Sequence, residues 1–100
     1  MSISSKWHPT SNTLELVMEE KFSHSIYPEF KDAYKSQVVE EITIKIDMSK
    51  VNVMDSAALG MLIQLRQYVD KLNGQVILSN PQEAVRSVLK NAQFEKLFGL

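Results

Sequence analysis

One hundred residues, 44% of them hydrophobic, make a single domain large enough to close a two-layer core without disulfide or metal support. Eleven basic side chains against twelve acidic ones, a net charge of −1, exclude a charge-driven role on nucleic acid or at a membrane surface. The chain has no cysteine, which rules out thiolate metal sites and thiol nucleophiles and fits a reducing compartment.

The opening residues, Met1 to His8, carry no long apolar stretch and no signal-peptide plan. No window approaches the ~20 apolar residues of a membrane span. The expectation is one cytoplasmic domain over residues 1–100. Ile3 to Trp7 is weakly strand-like, and Thr13 to Met18 alternates with Leu14, Leu16 and Met18 on one side. Pro9-Thr10-Ser11-Asn12 between them is turn chemistry, so the two segments form an antiparallel hairpin. Residues 19–25 read as a polar connection. Pro28 then suits the first turn of a helix, and Phe30, Ala33, Tyr34 and Val38 share one face of it over about three turns.

Glu41 to Asp47 alternates cleanly and is the clearest strand. Val51-Asn52-Val53 extends it toward Asp55-Ser56, after which a helix runs from about Ala57 to Leu72. Its core face is Ala58, Leu62, Leu65, Val69 and Leu72, flanked by Met61 and Tyr68. Asn73-Gly74 stops it. Val76-Ile77-Leu78 is wholly apolar, as in the buried interior of a parallel or mixed sheet. Asn80 as N-cap, Pro81 at the first helical position and Glu83 three residues past the cap open a last helix. That helix turns Val85, Val88, Leu89 and Ala92 inward, and Phe94, Leu97 and Phe98 close one end of the core. The order β-β-α-β-α-β-α describes an α/β fold, a small mixed sheet with helices mainly on one face.

Chemistry concentrates in Val53-Met54-Asp55-Ser56-Ala57-Ala58-Leu59-Gly60, a strand-to-helix loop with Ser56 among the unpaired N–H groups of a helix start. Three glycines in all cannot build a phosphate-cradling loop. His8 and His24 lack neighbours at metal-ligand spacing. Ser56 lacks the Gly-x-Ser-x-Gly setting of a nucleophile elbow and no histidine follows it, which speaks against a hydrolase. Two roles remain for Ser56. As N-cap it would hold the helix; as phosphoacceptor it would place an anion where a helix terminus tolerates one. Asp55 likewise either caps the helix or faces a partner. At 100° per residue Leu59 and Ile63 fall on the Ser56 side, off the core stripe, either as a docking patch or beneath the first helix.

Ile42 to Asp47, a spacer and then Asn52 to Gly60 resemble the signature of STAS domains, the anti-sigma factor antagonist family. The similarity continues through Leu62 to Leu65, Asn73-Gly74, Val76 to Leu78, Pro81 and the ending Val85…Leu89…Phe94…Phe98. It implies the family's small mixed sheet, no catalytic activity and no cofactor. It also implies a switch whose unphosphorylated form binds a serine protein kinase, also an anti-sigma factor, of the histidine-kinase-like ATPase type. Phosphorylation of the serine after the motif aspartate, Ser56 here, releases that partner, and a PP2C-type phosphatase reverses it. By the same resemblance Asp55, Ser56, Ala58, Leu59 and Ile63 correspond to the partner-contacting region. Neither nucleic acid nor a membrane enters that scheme.

Three departures from the family pattern stand out. Ala57-Ala58 replaces the usual Ser-Gly, leaving Ser56 the one acceptor in the motif. Ser23 stands near the place of a family aspartate ahead of the first helix, either as a partner contact and second acceptor or as a plain loop serine. No membrane region is expected to accompany the domain, unlike in the transporter branch. A nucleotide or small-ligand sensor using the loops at Ser23 and Asp55 is the alternative, as is a regulator of secretion, biofilm or motility.

Overall fold

The structure, a computed structural model, describes residues 3–98; residues 1–2 and 99–100 of the expected domain lie outside it. Strands β1 (Ser4–His8), β2 (Thr13–Val17), β4 (Thr43–Asp47) and β6 (Gln75–Ser79) form a four-stranded sheet in the order β1-β2-β4-β6. The hairpin β1–β2 is antiparallel, as Pro9 to Asn12 predicts, and β2–β4 and β4–β6 are parallel. Asn12 supplies the left-handed residue of the hairpin turn at φ 50°. A second sheet, too short to carry any periodicity, pairs β3 (Lys21–Phe22) with β5 (Val53–Met54) in parallel. Helices α1 (Tyr27–Tyr34), α2 (Ser56–Asp70), α3 (Glu83–Asn91) and α4 (Glu95–Phe98), with short 3-10 turns at Pro9–Ser11 and His24–Ile26, complete the described chain.

The alternation of β2 and β4 sorts their side chains cleanly. Leu14, Leu16, Ile44 and Ile46 are buried against the helices, while Thr13, Glu15, Thr43, Lys45 and Asp47 are half-buried on the other face. That outer face carries Glu15 between His8 (3.5 Å) and Lys45 (3.9 Å), a polar ladder on a sheet left open to solvent. Helix α2 seals the inner face with Ala58, Met61, Leu62, Leu65 and Val69. An aromatic run ties the layers together. Phe22 meets Phe30, Phe30 meets Tyr34 and Tyr34 meets Tyr68, with centroids 5.3, 5.3 and 5.1 Å apart. Burial, followed by the neighbouring Tyr27 and Tyr68, raises the Tyr34 pKa above its ordinary value.

Three expectations need correction. Helix α1 stops at Tyr34, because the Ser36 hydroxyl donates to the Ala33 carbonyl at 2.7 Å and closes the turn; Val38 lies beyond it, 71% exposed. The segment Val76 to Leu78 is not buried on both sides: Val76 and Leu78 face the core, but Ile77 is 39% exposed on the open face. Helix α3 begins at Glu83 with Gln82 as N-cap, not at Pro81. Asn80 is left-handed at φ 56°, which an N-cap does not adopt, and the Gln82 amide is held away by the Ser49 carbonyl at 2.8 Å.

Asn73-Gly74 stops α2 as expected. Asn73, not Gly74, takes the left-handed conformation, at φ 56°. Its N–H donates to the Asp70 carbonyl at 3.1 Å and that of Gly74 to the Val69 carbonyl at 2.8 Å, the two bonds of a Schellman stop. Gly74 is needed for clearance instead. A Cβ there would come 2.3 Å from the Ile42 carbonyl oxygen.

Candidate functional site

Two loops leave the small sheet side by side. Because Phe22 pairs with Met54, Ser23 and Asp55 are the next residues on adjacent parallel strands. The Glu20 carbonyl accepts from the N–H groups of Asn52 (2.9 Å) and Val53 (3.1 Å), and that of Phe22 from Asp55 N–H at 3.4 Å. Upstream, Asp47 pins the β4 exit by accepting the Ser49 N–H at 3.0 Å, and that bond chiefly holds the Asp47 carboxyl below its ordinary pKa. The loop entering α2 is therefore tied down at both ends, and its geometry depends on β3, which the sequence does not reveal.

Asp55 is the N-cap of α2. Its backbone is extended (φ −97°, ψ 176°) and its Oδ1 accepts the Ala58 N–H at 2.9 Å. Ser56 is consequently the first helical residue, exposed, and its hydroxyl enters no hydrogen bond among the described residues. The N-cap role expected as one possibility for Ser56 belongs to Asp55. Replacing Asp55 with Ala should lower stability by about 1 kcal/mol, a thermal midpoint some 4–8 °C lower in a domain of this size. Ser56→Ala should move it far less. Equal losses in the two variants would refute this division of roles.

Around α2 the other site residues divide by burial. Ala58 is 0% exposed in the core, so its side chain is unavailable to a docking partner, and its inclusion among the contact residues is a correction. Leu59 is half-buried and packed on the core, whereas Ile63 is 40% exposed. Ser56, Gly60, Ile63 and Gln67 recur at i, i+4, i+7 and i+11 and are all exposed, forming the solvent crest of the helix. Helix α1 does not cover that crest. It runs along the opposite flank, where the Tyr27 hydroxyl donates to Gln64 Oε1 at 2.7 Å and Tyr34 meets Tyr68. Val53, 48% exposed, adds apolar surface just before Asp55.

Ser23 is half-buried, and its hydroxyl shares a hydrogen bond with Ser25 Oγ at 3.0 Å. As an acceptor it is worse placed than Ser56. Beyond it His24 and Tyr27 join Ala57, Gly60, Met61 and Gln64 around a groove of about 250 Å³. The approach of His24 and Tyr27 to Gln64 on α2 carried no sequence signal, since it depends on the β3–β5 pairing that brings their segment there. His8 lies elsewhere, on the open sheet face beside Glu15. Among the described residues no cluster of His, Cys, Asp and Glu could hold a metal ion, and no helix is long and apolar enough to cross a membrane.

The profile of the STAS domain family matches residues 8–100. The chain belongs to the STAS domain family. A STAS-domain containing protein of Pseudomonas aeruginosa (strain UCBPP-PA14) is 30% identical over 98 residues, which cover 98% of this chain and 97% of that one. Among solved structures, the STAS fold seen here is similar to a putative anti-sigma factor antagonist of Thermotoga maritima, with a TM-score of 0.80 at 18% identity, over 96% of this chain and 82% of that one. It is also similar to the anti-sigma factor antagonist SpoIIAA in its unphosphorylated form, with a TM-score of 0.71 at 18% identity, over 89% and 82% of the two chains. The phosphorylated form of Bacillus SpoIIAA gives a TM-score of 0.65 at 20% identity, over 91% and 83%. Both states of that protein thus share the fold of this STAS domain.

Proposed function

We propose that this STAS domain is a non-catalytic protein-binding switch governed by phosphorylation of Ser56. The observation that carries the reading is the separation of tasks at the start of α2. Asp55 holds the helix, and Ser56 stands exposed beside it with its hydroxyl unengaged. A phosphate on Ser56 would sit against the helix N-terminus, which favours anions, so the fold can accept about −1.5 to −2 charges without unravelling. The same charge would fall at the head of the crest bearing Gly60 and Ile63, where a docked partner must strip water from it.

The partner in this reading is a serine protein kinase and anti-sigma-type factor of the histidine-kinase-like ATPase class, and a PP2C-type phosphatase resets the switch. Solved structures of the phosphorylated and unphosphorylated anti-sigma factor antagonist SpoIIAA support it. Asp55, Leu59, Ile63 and Ser23 would belong to the partner-binding surface with the acceptor, and the switch would act in the cytoplasm.

Incubation with the cognate kinase and ATP should add one phosphate, read by intact mass, and Ser56→Ala should abolish it. Ser56→Asp should weaken partner binding at least about tenfold, as a desolvated unpaired charge would, with the thermal midpoint within a few degrees of wild type. Phosphate retained on the Ser56→Ala variant would defeat the assignment.

A further inference from the structure

The charges of α1 are sorted by flank. At 100° per residue Lys31 and Lys35 turn with Tyr27 toward α2, while Glu29, Asp32 and Ala33 turn away and line the opposite side beside Ile3 and Ser5. Helix α2 repeats the arrangement. Gln64 and Tyr68 meet α1, and Lys71 follows one turn on. The one acid of α2, Asp70, lies with Arg66 on the far flank beside β6. The seam between the helices therefore carries lysines without a carboxylate from either helix. Glu40, at its far end, accepts from the Asn73 amide. Among the described residues Lys31, Lys35 and Lys71 join no ion pair, the pairs being those of Glu15 with His8 and Lys45.

Aromatic rings hold two of these cations in place. Lys31 Nζ lies over the Tyr27 ring and Lys35 Nζ over the Tyr68 ring, each 5.8 Å from the centroid. A ring face attracts an ammonium group but offers no lone pair, so the N–H donors remain for an oxygen acceptor. Because the Tyr27 hydroxyl bonds to Gln64, the two rings stand at the levels of Gln64 and Tyr68, one turn or about 6 Å apart. One turn before Gln64 comes Gly60, in the groove of about 250 Å³ that it shares with His24, Tyr27, Ala57 and Met61. A Cβ at Gly60 would meet nothing within 4 Å, so the packing does not require a glycine there, although glycine weakens a helix interior. Its effect is to keep the groove open.

We propose that the α1–α2 seam docks an acidic segment of a partner protein, with an apolar side chain in the Gly60 groove and carboxylates on Lys31 and Lys35. Charge complementarity selects this occupant. Two pinned cations one turn apart match glutamates four residues apart on a helix, which have the same spacing. A nucleic-acid backbone is the poorer match. The chain carries twelve acidic residues and a net charge of −1, so phosphates running beyond the seam would be repelled. Docking needs no phosphate on Ser56, so its failure would leave the phosphorylation switch standing.

Fluorescence anisotropy tests this with a labelled alanine-based helical peptide. The probe carries one leucine, with glutamates four and eight residues to one side of it, and is made in both chain directions. One of the two should bind the full chain. Glutamine in place of both glutamates should weaken it about three- to tenfold, the loss expected of two part-exposed ion pairs. Lys31→Glu with Lys35→Glu should weaken it at least as much, with a thermal midpoint within a few degrees of wild type. A peptide with lysines in place of the glutamates should bind that variant in preference to wild type. Gly60→Leu should fill the groove and weaken binding, with a thermal midpoint no lower than that of wild type. No binding of either peptide at millimolar concentration overturns the proposal, as does binding indifferent to the two lysines. A single-stranded oligonucleotide bound more tightly than the peptides through the same lysines would assign the seam to nucleic acid, which equally overturns it.

Discussion

Truncating Phe30 to alanine is expected to destabilise the domain by about 3–5 kcal/mol, the usual loss for a fully buried phenylalanine. The ring is 0% exposed and stands between Phe22 and Tyr34, so its removal opens a cavity at the centre of the aromatic run. Domains of this kind are held by only about 5–15 kcal/mol in total, so the variant should be partly unfolded at warm temperatures. Urea denaturation would read the loss as a lower midpoint with an unchanged slope. Phe30→Leu keeps much of the volume and should lose well under half as much. A change below about 1 kcal/mol for Phe30→Ala would contradict the packing. The lesion should also reach the site, because Phe22 anchors β3 and β3 positions the Ser23 loop beside Asp55. Slower Ser56 phosphorylation in the Phe30→Leu variant, measured where it is fully folded, is the corresponding readout.

Gly74→Ala is the second large effect. Its added methyl would lie 2.3 Å from the Ile42 carbonyl oxygen and 3.1 Å from Ile42 Cγ2. That carbonyl already accepts the Gln75 N–H, the first rung between β4 and β6. Relief therefore requires backbone movement rather than a rotamer change, and a loss of about 1–3 kcal/mol or more follows. Asn73→Gly next door should be tolerated, since glycine readily adopts the left-handed conformation that Asn73 holds. The pair separates two reasons for a small residue at a helix end. If alanine at 74 were harmless while glycine at 73 were severe, both assignments would be reversed. Thermal denaturation of the two variants decides between them.

The strand Glu41 to Asp47 and the helix after Ser56 were legible because long periodic patterns face one continuous core. The site was legible only in outline. Asp55-Ser56 marked a strand-to-helix junction, which the structure has there, but which residue caps the helix depends on backbone angles that either sequence position could adopt. The pairing β3–β5 was invisible, since two residues define no period, and with it went the approach of His24 and Tyr27 to α2. Val38 continued a helical rhythm by coincidence; the Ser36 hydroxyl ends the helix before the pattern does. Asn80-Pro81 carried helix-start chemistry, yet the Ser49 carbonyl holds Gln82 and delays the first turn. At β3–β5 and at Gln82 a contact from a distant segment overrode a local preference, whereas the end of α1 is set by the local bond from Ser36 to Ala33.

The cap at Asp55 also has a kinetic meaning. The bond from Ala58 N–H to Asp55 closes the first turn without using the Ser56 hydroxyl, so on the proposed switch an enzyme acting on Ser56 would meet a native backbone at every encounter. Neither attachment nor removal of a group there has to wait for a segment to open, a step that sets the pace at buried acceptors. The tempo of the cycle would then belong to the enzymes that visit the serine, and the domain would return unchanged to the start of each round.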